Sequence, residues 1–228
     1  MREILFDTET TGLYPLEGDR ITELGCVEVI NMIPTGREFH ALINPDRDIP
    51  AEVTAITGHT REMLRDKPRF EEVAQDFVAF VGDAVMVAHN APFDRGFINM
   101  ELTRAGLDPY PASRFKDTAA MARERFPGSP ANLDALCKRF DISLESRTKH
   151  GALIDAYLLA EVYLELNGGR TRVLDFSGLD GADTTVRYTP RPPRPVPLAP
   201  ASTAEERARH AAFVAELGDQ RVWKSLGV

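Results

Sequence analysis

Cysteine is scarce in this 228-residue chain: Cys26 and Cys137 are the only two. Two thiols cannot build a disulfide framework, and no Cys/His spacing suits zinc. Both lie in apolar periodic stretches and are expected to be buried. Long apolar runs are also missing. No stretch approaches the roughly 20 residues of a membrane span, and the opening MREILFDTET has no basic segment leading into a long apolar run. A cytoplasmic, reducing setting is the expectation. A basic surplus is absent too: 27 Lys and Arg stand against 35 Asp and Glu, a formal net charge of −8. An acidic balance disfavours tight autonomous binding to nucleic acid.

What is present reads as one sizeable domain with an appendage. A domain of roughly 150 residues buries about two-thirds of its unfolded surface and folds without staples. Ile4–Phe6 is a short apolar run that ends in acids. Ile21–Ile30 alternates as a strand does, Glu38–Ile43 reads as its antiparallel neighbour, and Ala84–Ala88 reads as a buried strand. Helical spacing marks Phe70–Val81, Pro92–Ala105, Asp117–Phe126, Leu133–Phe140 and Ala152–Leu166. Asn90, Asp117 and Asn132 stand where N-caps belong, and Gly168 where a C-cap belongs. Strands followed by mixed strands and helices predict a layered α/β or α+β domain; periodicity alone does not give strand order. After Gly169 the composition changes. TPRPPRPVPLAP, residues 189–200, cannot be helix or central strand and should form an extended spacer. Helical spacing returns in Thr203–Leu217, too short to build its own core. The expected organisation is therefore a domain over 1–170, a linker over 171–202 and a tail helix over 203–228.

Three segments carry chemistry. In Phe6-Asp7-Thr8-Glu9-Thr10-Thr11-Gly12, two acids stand two apart at a strand end. Residues i and i+2 of a strand share a face, so both carboxylates converge on one point. Such anions repel unless positive charge lies between them, and hard divalent cations such as Mg²⁺ or Mn²⁺ fit oxygen donors; a solvated strand end is the competing reading. In His89-Asn90-Ala91-Pro92-Phe93-Asp94, Asp94 falls in a first helical turn, where the helix dipole already favours an acid. In His150-Gly151-Ala152-Leu153-Ile154-Asp155, Asp155 interrupts an apolar run and needs a partner or a cation. His150, just ahead of that helix, titrates near neutrality and can take a proton from water. Together these acids and the histidine have the make-up of a two-metal phosphodiester-hydrolysing site.

FDTETTGL, HNAPFD and HGALIDA resemble the three motifs of the DnaQ-like, DEDDh 3′→5′ exonucleases. With ITELGCVEV, INPD, FPGSPANLDALCKRF and AEVYLELNGG, the likeness spans roughly residues 3–170. More narrowly, the chain resembles the proofreading epsilon-type subunits of bacterial DNA polymerase III. The histidine five residues before the last acid marks the "h" branch, since the tyrosine branch would place Tyr where Gly151 stands. The resemblance implies a ribonuclease-H-like mixed five-stranded sheet flanked by helices. It implies that Asp7 bridges two divalent cations, Mg²⁺ or Mn²⁺. Glu9 and Asp155 complete the first cation site, Asp94 assists the second, and His150 is the general base. The product is a nucleoside 5′-monophosphate. Glu52 matches an acid the family uses to hold the terminal nucleotide, while Thr57 stands where the family has His. Thr8 is the candidate to offer its backbone or hydroxyl to the 3′ end.

The tail resembles those subunits less closely. Thr171-Arg172-Val173-Leu174-Asp175-Phe176 matches a Gln-x-x-Leu-x-Phe sliding-clamp peptide at Leu174 and Phe176, with Thr171 in place of Gln. The alternative is that these apolar residues pack on the domain. By resemblance, the segment from Ala204 docks on the polymerase alpha subunit through Phe213, Leu217 and Trp223, with the proline spacer as a tether, and a small accessory subunit belongs to such complexes. The partner would then hold the primer end, which answers the acidic balance. Arg123, Arg125, Lys138, Arg139, Arg147 and Lys149 either line the DNA path or are merely solvated. Two rival functions stand beside proofreading: an RNA-trimming or free-standing single-strand exonuclease, and a catalytically dead adaptor between polymerase and clamp.

Overall fold

The computed structural model describes residues 1–144, 150–169 and 202–216. The chain divides into two units, Met1–Leu174 and Asp175–Val228. In the first, β1 (Arg2–Thr10), β2 (Ile21–Ile30), β3 (Ile33–Leu42), β4 (Val85–Ala88) and β5 (Phe115–Asp117) form one sheet in the order β3-β2-β1-β4-β5. β2 is antiparallel to both β1 and β3; β4 runs parallel to β1, and β5 parallel to β4. The helices are α1 (Ala51–Thr57), α2 (Arg61–Leu64), α3 (Phe70–Val81), α4 (Ala91–Arg104), α5 (Thr118–Arg125), α6 (Leu133–Arg139) and α7 (Ala152–Leu166). The mixed five-stranded α/β sheet expected from the resemblance is present.

β1 is the middle strand, and its alternation serves two helical layers. Ile4 and Phe6 join Phe70 and Phe77 of α3 and Phe97 of α4. Leu5 turns the other way and packs with Val29 and Val87 beneath Leu159, Ala160 and Tyr163 of α7. Acids that interrupt the apolar strands are matched by bases: Arg2 Nε lies 2.6 Å from Glu28 Oε1, and Lys116 Nζ lies 2.6 Å from Glu3 Oε1. Both cysteines are buried, as expected, and burial pushes the Cys26 thiol up well beyond its usual range.

Several boundaries differ from the pattern reading. β5 has only three residues, too few to show a period, and was not anticipated. Nor were α1 and α2, which are single turns or little more. β3 starts earlier than Glu38, because Asn31 and Met32 both adopt positive φ (52° and 68°) in a tight two-residue hairpin loop. Asp117 and Asn132 cap their helices as expected, accepting from Ala119 N (2.9 Å) and Ala135 N (2.8 Å). Gly168, at φ 108°, stands one residue beyond the cap Asn167 of α7. Asn90 does not cap: it is left-handed (φ 67°, ψ 48°) and its side chain makes no cap bond to α4.

In the second unit, α8 (Ala204–Glu216) begins with a capping box. Thr203 Oγ1 accepts from Glu206 N at 3.2 Å, and Glu206 Oε2 accepts from Thr203 N at 2.7 Å. Phe213 is exposed. The clamp-type peptide with Thr171, Leu174 and Phe176, the proline spacer, Arg147 and Lys149, and the anchors Leu217 and Trp223 lie outside the described residues. Among those described, no helix is long and apolar enough to cross a membrane.

Candidate active site

Asp7 and Glu9 follow Leu5 on the face of β1 that α7 covers, both half-buried. The hairpin register sets Asp7 opposite Gly25 and Glu9 opposite Glu23. Gly25 decides how near α7 can come. A Cβ there would stand 2.5 Å from Leu153 Cα and closer still to the Ala152–Leu153 peptide, so the first turn of α7 lies directly on the β2 backbone. That contact brings Asp155, one turn into α7, to the end of β1, where it is 3 % exposed. Glu9, His150 and Asp155 converge, each offering one ligand atom within 4.8 Å of the others. His150 Nδ1 lies 3.6 Å from Asp155 Oδ2, and the His150 side chain is 48 % exposed.

Asp94 reaches β1 from the opposite side. It is 2 % exposed, which excludes a merely solvated helix-end charge. Thr8 Oγ1 donates to its Oδ1 at 2.7 Å, and the Thr8 backbone N–H donates as well. Burial pushes the Asp94 carboxyl up to about 7 against the pull of these bonds, and the charge of Asp117 adds to the rise. β1 therefore supplies the site from both faces: Asp7 and Glu9 toward α7, Thr8 toward α4. Thr8 was expected to offer its backbone or hydroxyl to a 3′ end; its hydroxyl donates to Asp94.

Glu23 was not singled out in the sequence. It is buried beside Glu9 and binds three groups at once. His40 Nε2 lies 2.7 Å from its Oε1 and His59 Nε2 3.3 Å from its Oε2, while the Ala152 N–H donates to it. Burial pushes this carboxyl up, but the bonds from His59, His40 and Ala152 outweigh it and hold the group below its ordinary value. Gly151 offers no side-chain cap to α7, so Glu23 satisfies one of the N–H groups of its first turn. The visible signal was an acid inside the apolar run ITELGCVEVI. His59 is itself buried, with Nδ1 3.1 Å from Thr22 Oγ1.

The remaining candidates are less gathered. Glu52 is exposed in the first turn of α1. Thr57 is buried, donates to Val53 O (3.0 Å) and accepts from His59 N (3.0 Å), so its hydroxyl is occupied within its own turn. Arg125 donates to the carbonyls of Glu165 (2.9 Å) and Leu166 (2.5 Å), and Arg139 stacks 4.3 Å over the Phe126 ring; both serve the fold. The donor set of carboxylates with one imidazole suits hard divalent cations. A buried acid titrating near neutrality also fits, since nearby positive charge is what would ionise it.

Comparison with known proteins bears on the family and the fold. The family model described as Exonuclease matches residues 4–163. The chain is 53 % identical over 173 residues to DNA polymerase III subunit epsilon of Rickettsia felis, covering 75 % of this chain and 76 % of that one. The corresponding subunit of Escherichia coli is 45 % identical over 177 residues, covering 75 % and 73 %. Among solved structures, exonuclease X in complex with 5′ overhanging duplex DNA is 30 % identical with a TM-score of 0.58, covering 72 % of this chain and 89 % of that one. The nuclease domain of 3′hExo, a DEDDh family member bound to rAMP, shares the fold at 16 % identity, TM-score 0.60, covering 76 % and 96 %.

Proposed function

The chain belongs to the exonuclease family, among the DNA polymerase III epsilon subunits, and on that premise we propose that this 3′→5′ exonuclease removes mispaired 3′-terminal nucleotides as the proofreading subunit of a bacterial replicative polymerase. The observation that carries the reading is the convergence of Glu9, His150 and Asp155 within 4.8 Å at the end of β1. The family uses divalent metal ions. Here Asp7, Glu9 and Asp155 would hold one, and Asp7 with Asp94 a second, Mg²⁺ or Mn²⁺ in each case. Bound there, such cations polarise the scissile phosphate and acidify water.

The chain's own residues do the rest. His150 turns Nδ1 toward Asp155, which orients the ring, and its Nε2 takes the proton of the attacking water. The water oxygen bonds to the terminal phosphorus as the bond to the preceding 3′ oxygen breaks. A nucleoside 5′-monophosphate leaves, and a new 3′ hydroxyl remains on the strand. Thr8 fixes Asp94, Glu23 fixes the start of α7, and Glu52, exposed in the first turn of α1, would meet the terminal nucleotide. The second unit serves as a tether: α8 would dock on the polymerase alpha subunit through Phe213, Leu217 and Trp223, with the clamp-type peptide and an accessory subunit as further contacts. Tethering raises the effective concentration of the nuclease at the primer end, at the replisome in the cytoplasm. A dead adaptor does not need this acid set, and the two DNA polymerase III epsilon subunits named above do not favour RNA trimming.

The test is release of nucleoside monophosphate from a mispaired DNA 3′ end with Mg²⁺ or Mn²⁺, wild type against Asp7→Ala. Metal-dependent release above the variant's background is expected. Equal traces would leave the adaptor reading standing, and a strong preference for a matched RNA end would overturn proofreading.

A further inference from the structure

Beside the Asp94 helix an open cavity of about 620 Å³ is lined by His89, Asn90, Arg123, Ser129 and Asn132 among others. His89 and Asn90 directly follow β4, which runs parallel to β1 with Val87 beside Leu5. The cavity therefore opens at the same carboxyl-terminal strand edge from which Asp7 and Glu9 project, the usual place for a ligand on a parallel strand pair. Its volume is that of a small-ligand site.

Two groups in it have no structural task. Arg123 is exposed and takes part in no ion pair or hydrogen bond among the described residues. Other arginines do: Arg2, Arg20, Arg37, Arg47, Arg61 and Arg69 each meet an acid. Arg95 on α4 is likewise unmatched among the described residues, so what sets Arg123 apart is its place in this cavity. Asn90 is held left-handed, with its N–H donating to Asp117 Oδ1 at 2.9 Å, and its amide makes no hydrogen bond within the described residues. Strain of this kind persists where the surroundings enforce it, and it clusters at binding sites. His89, by contrast, is scaffold: Nδ1 lies 3.0 Å from Thr118 Oγ1, the ring also meets the Ala131 carbonyl, and burial keeps the imidazole below its ordinary pKa. Arg123 is thus the one permanent cation in the lining.

We infer that this cavity is a phosphodiester subsite for the strand being digested, in which Arg123 grips a phosphate other than the scissile one and the Asn90 amide supports it. The guanidinium fork matches phosphate oxygens. The one aromatic ring in the lining, the His89 imidazole, is engaged by Thr118 and Ala131, and no Phe, Tyr or Trp joins it, so the contact is to backbone and indifferent to sequence, as digestion of any 3′ end requires. The inference rests on the exonuclease reading and adds to it the grip on the remaining chain.

The experiment uses the full chain with Mn²⁺ and three substrates: a short single-stranded oligonucleotide, the same strand annealed to a template, and the nitrophenyl ester of thymidine 5′-monophosphate. Arg123→Gln should raise KM on the oligonucleotide roughly tenfold or more, with kcat little changed and ester hydrolysis as in wild type. The dependence of log(kcat/KM) on log salt should become shallower by about 0.7, one phosphate contact on a single strand. Asn90→Gly, which suits the left-handed backbone and removes only the amide, should raise KM in the same substrate-selective way. Equal loss on oligonucleotide and ester, an unchanged oligonucleotide KM, or an effect confined to the annealed substrate would each overturn the assignment. If wild type hydrolyses neither the ester nor the oligonucleotide, the exonuclease reading fails first.

Discussion

Gly25→Ala should damage catalysis more than folding, although Gly25 carries no functional group. The added methyl would sit 2.5 Å from Leu153 Cα and nearer still to Leu153 N and Ala152 C, whereas ordinary contact begins near 3.4 Å, so α7 must withdraw by at least about 0.9 Å. The obstacle is helix backbone, which cannot swing aside as a side-chain tip can. Overpacking of this kind costs about 1–3 kcal/mol, which a domain of this size tolerates. The same withdrawal moves Asp155 and the start of α7 away from Glu9 and weakens the bond from Ala152 N–H to Glu23. A displacement of about 1 Å from reactive geometry can cost roughly a hundredfold in rate. The expected result is a folded, cooperatively unfolding protein whose kcat on single-stranded DNA falls roughly a hundredfold. A variant that is folded and keeps kcat within a few-fold of wild type would refute the claim that this backbone contact sets the metal-site geometry.

Three further outcomes are expected. His150→Ala should lower kcat roughly a hundred- to ten-thousand-fold without loss of unfolding midpoint, and a rate near wild type would remove the base assignment. Asp94 titrates at about 7 in the fold against an ordinary 3.8, so the native state holds the proton more tightly than the unfolded chain. Stability of the chelator-treated protein should therefore fall as pH rises from about 4 to 7; Asp94→Asn should lose that dependence and added Mg²⁺ should reduce it, both read from urea midpoints, and a wild-type slope no different from that of Asp94→Asn would contradict the assignment. Deleting residues 201–228 should abolish co-purification with the polymerase subunit while sparing hydrolysis of short single strands, and retained association would refute the tether.

The elements with a long period were legible in the sequence. α3 and α7 lie where their apolar spacing predicts, and β2 matches its alternating run residue for residue. β5, α1 and α2 escaped because three to seven residues hold too little period to read. Asn90 shows a different failure. Its position suits a cap, but Asp117, from a separate strand end, holds its N–H and the backbone turns left-handed.

The same division runs through the site. Local rules sufficed to pair Asp7 with Glu9, because alternation along one strand is a property of the chain itself. They sufficed also to mark Asp155 as an acid in apolar surroundings, and the motif likeness identified the family. What tertiary structure alone decided was which groups meet. Gly25 admits α7 to the sheet, Glu23 holds its first turn, Thr8 binds Asp94 from the far side of β1, and Arg123 faces the cavity beside Asn90. Each is a relation between segments distant in sequence. Its energy depends on close approach and on the loss of water between the groups, which no pattern within a single segment encodes.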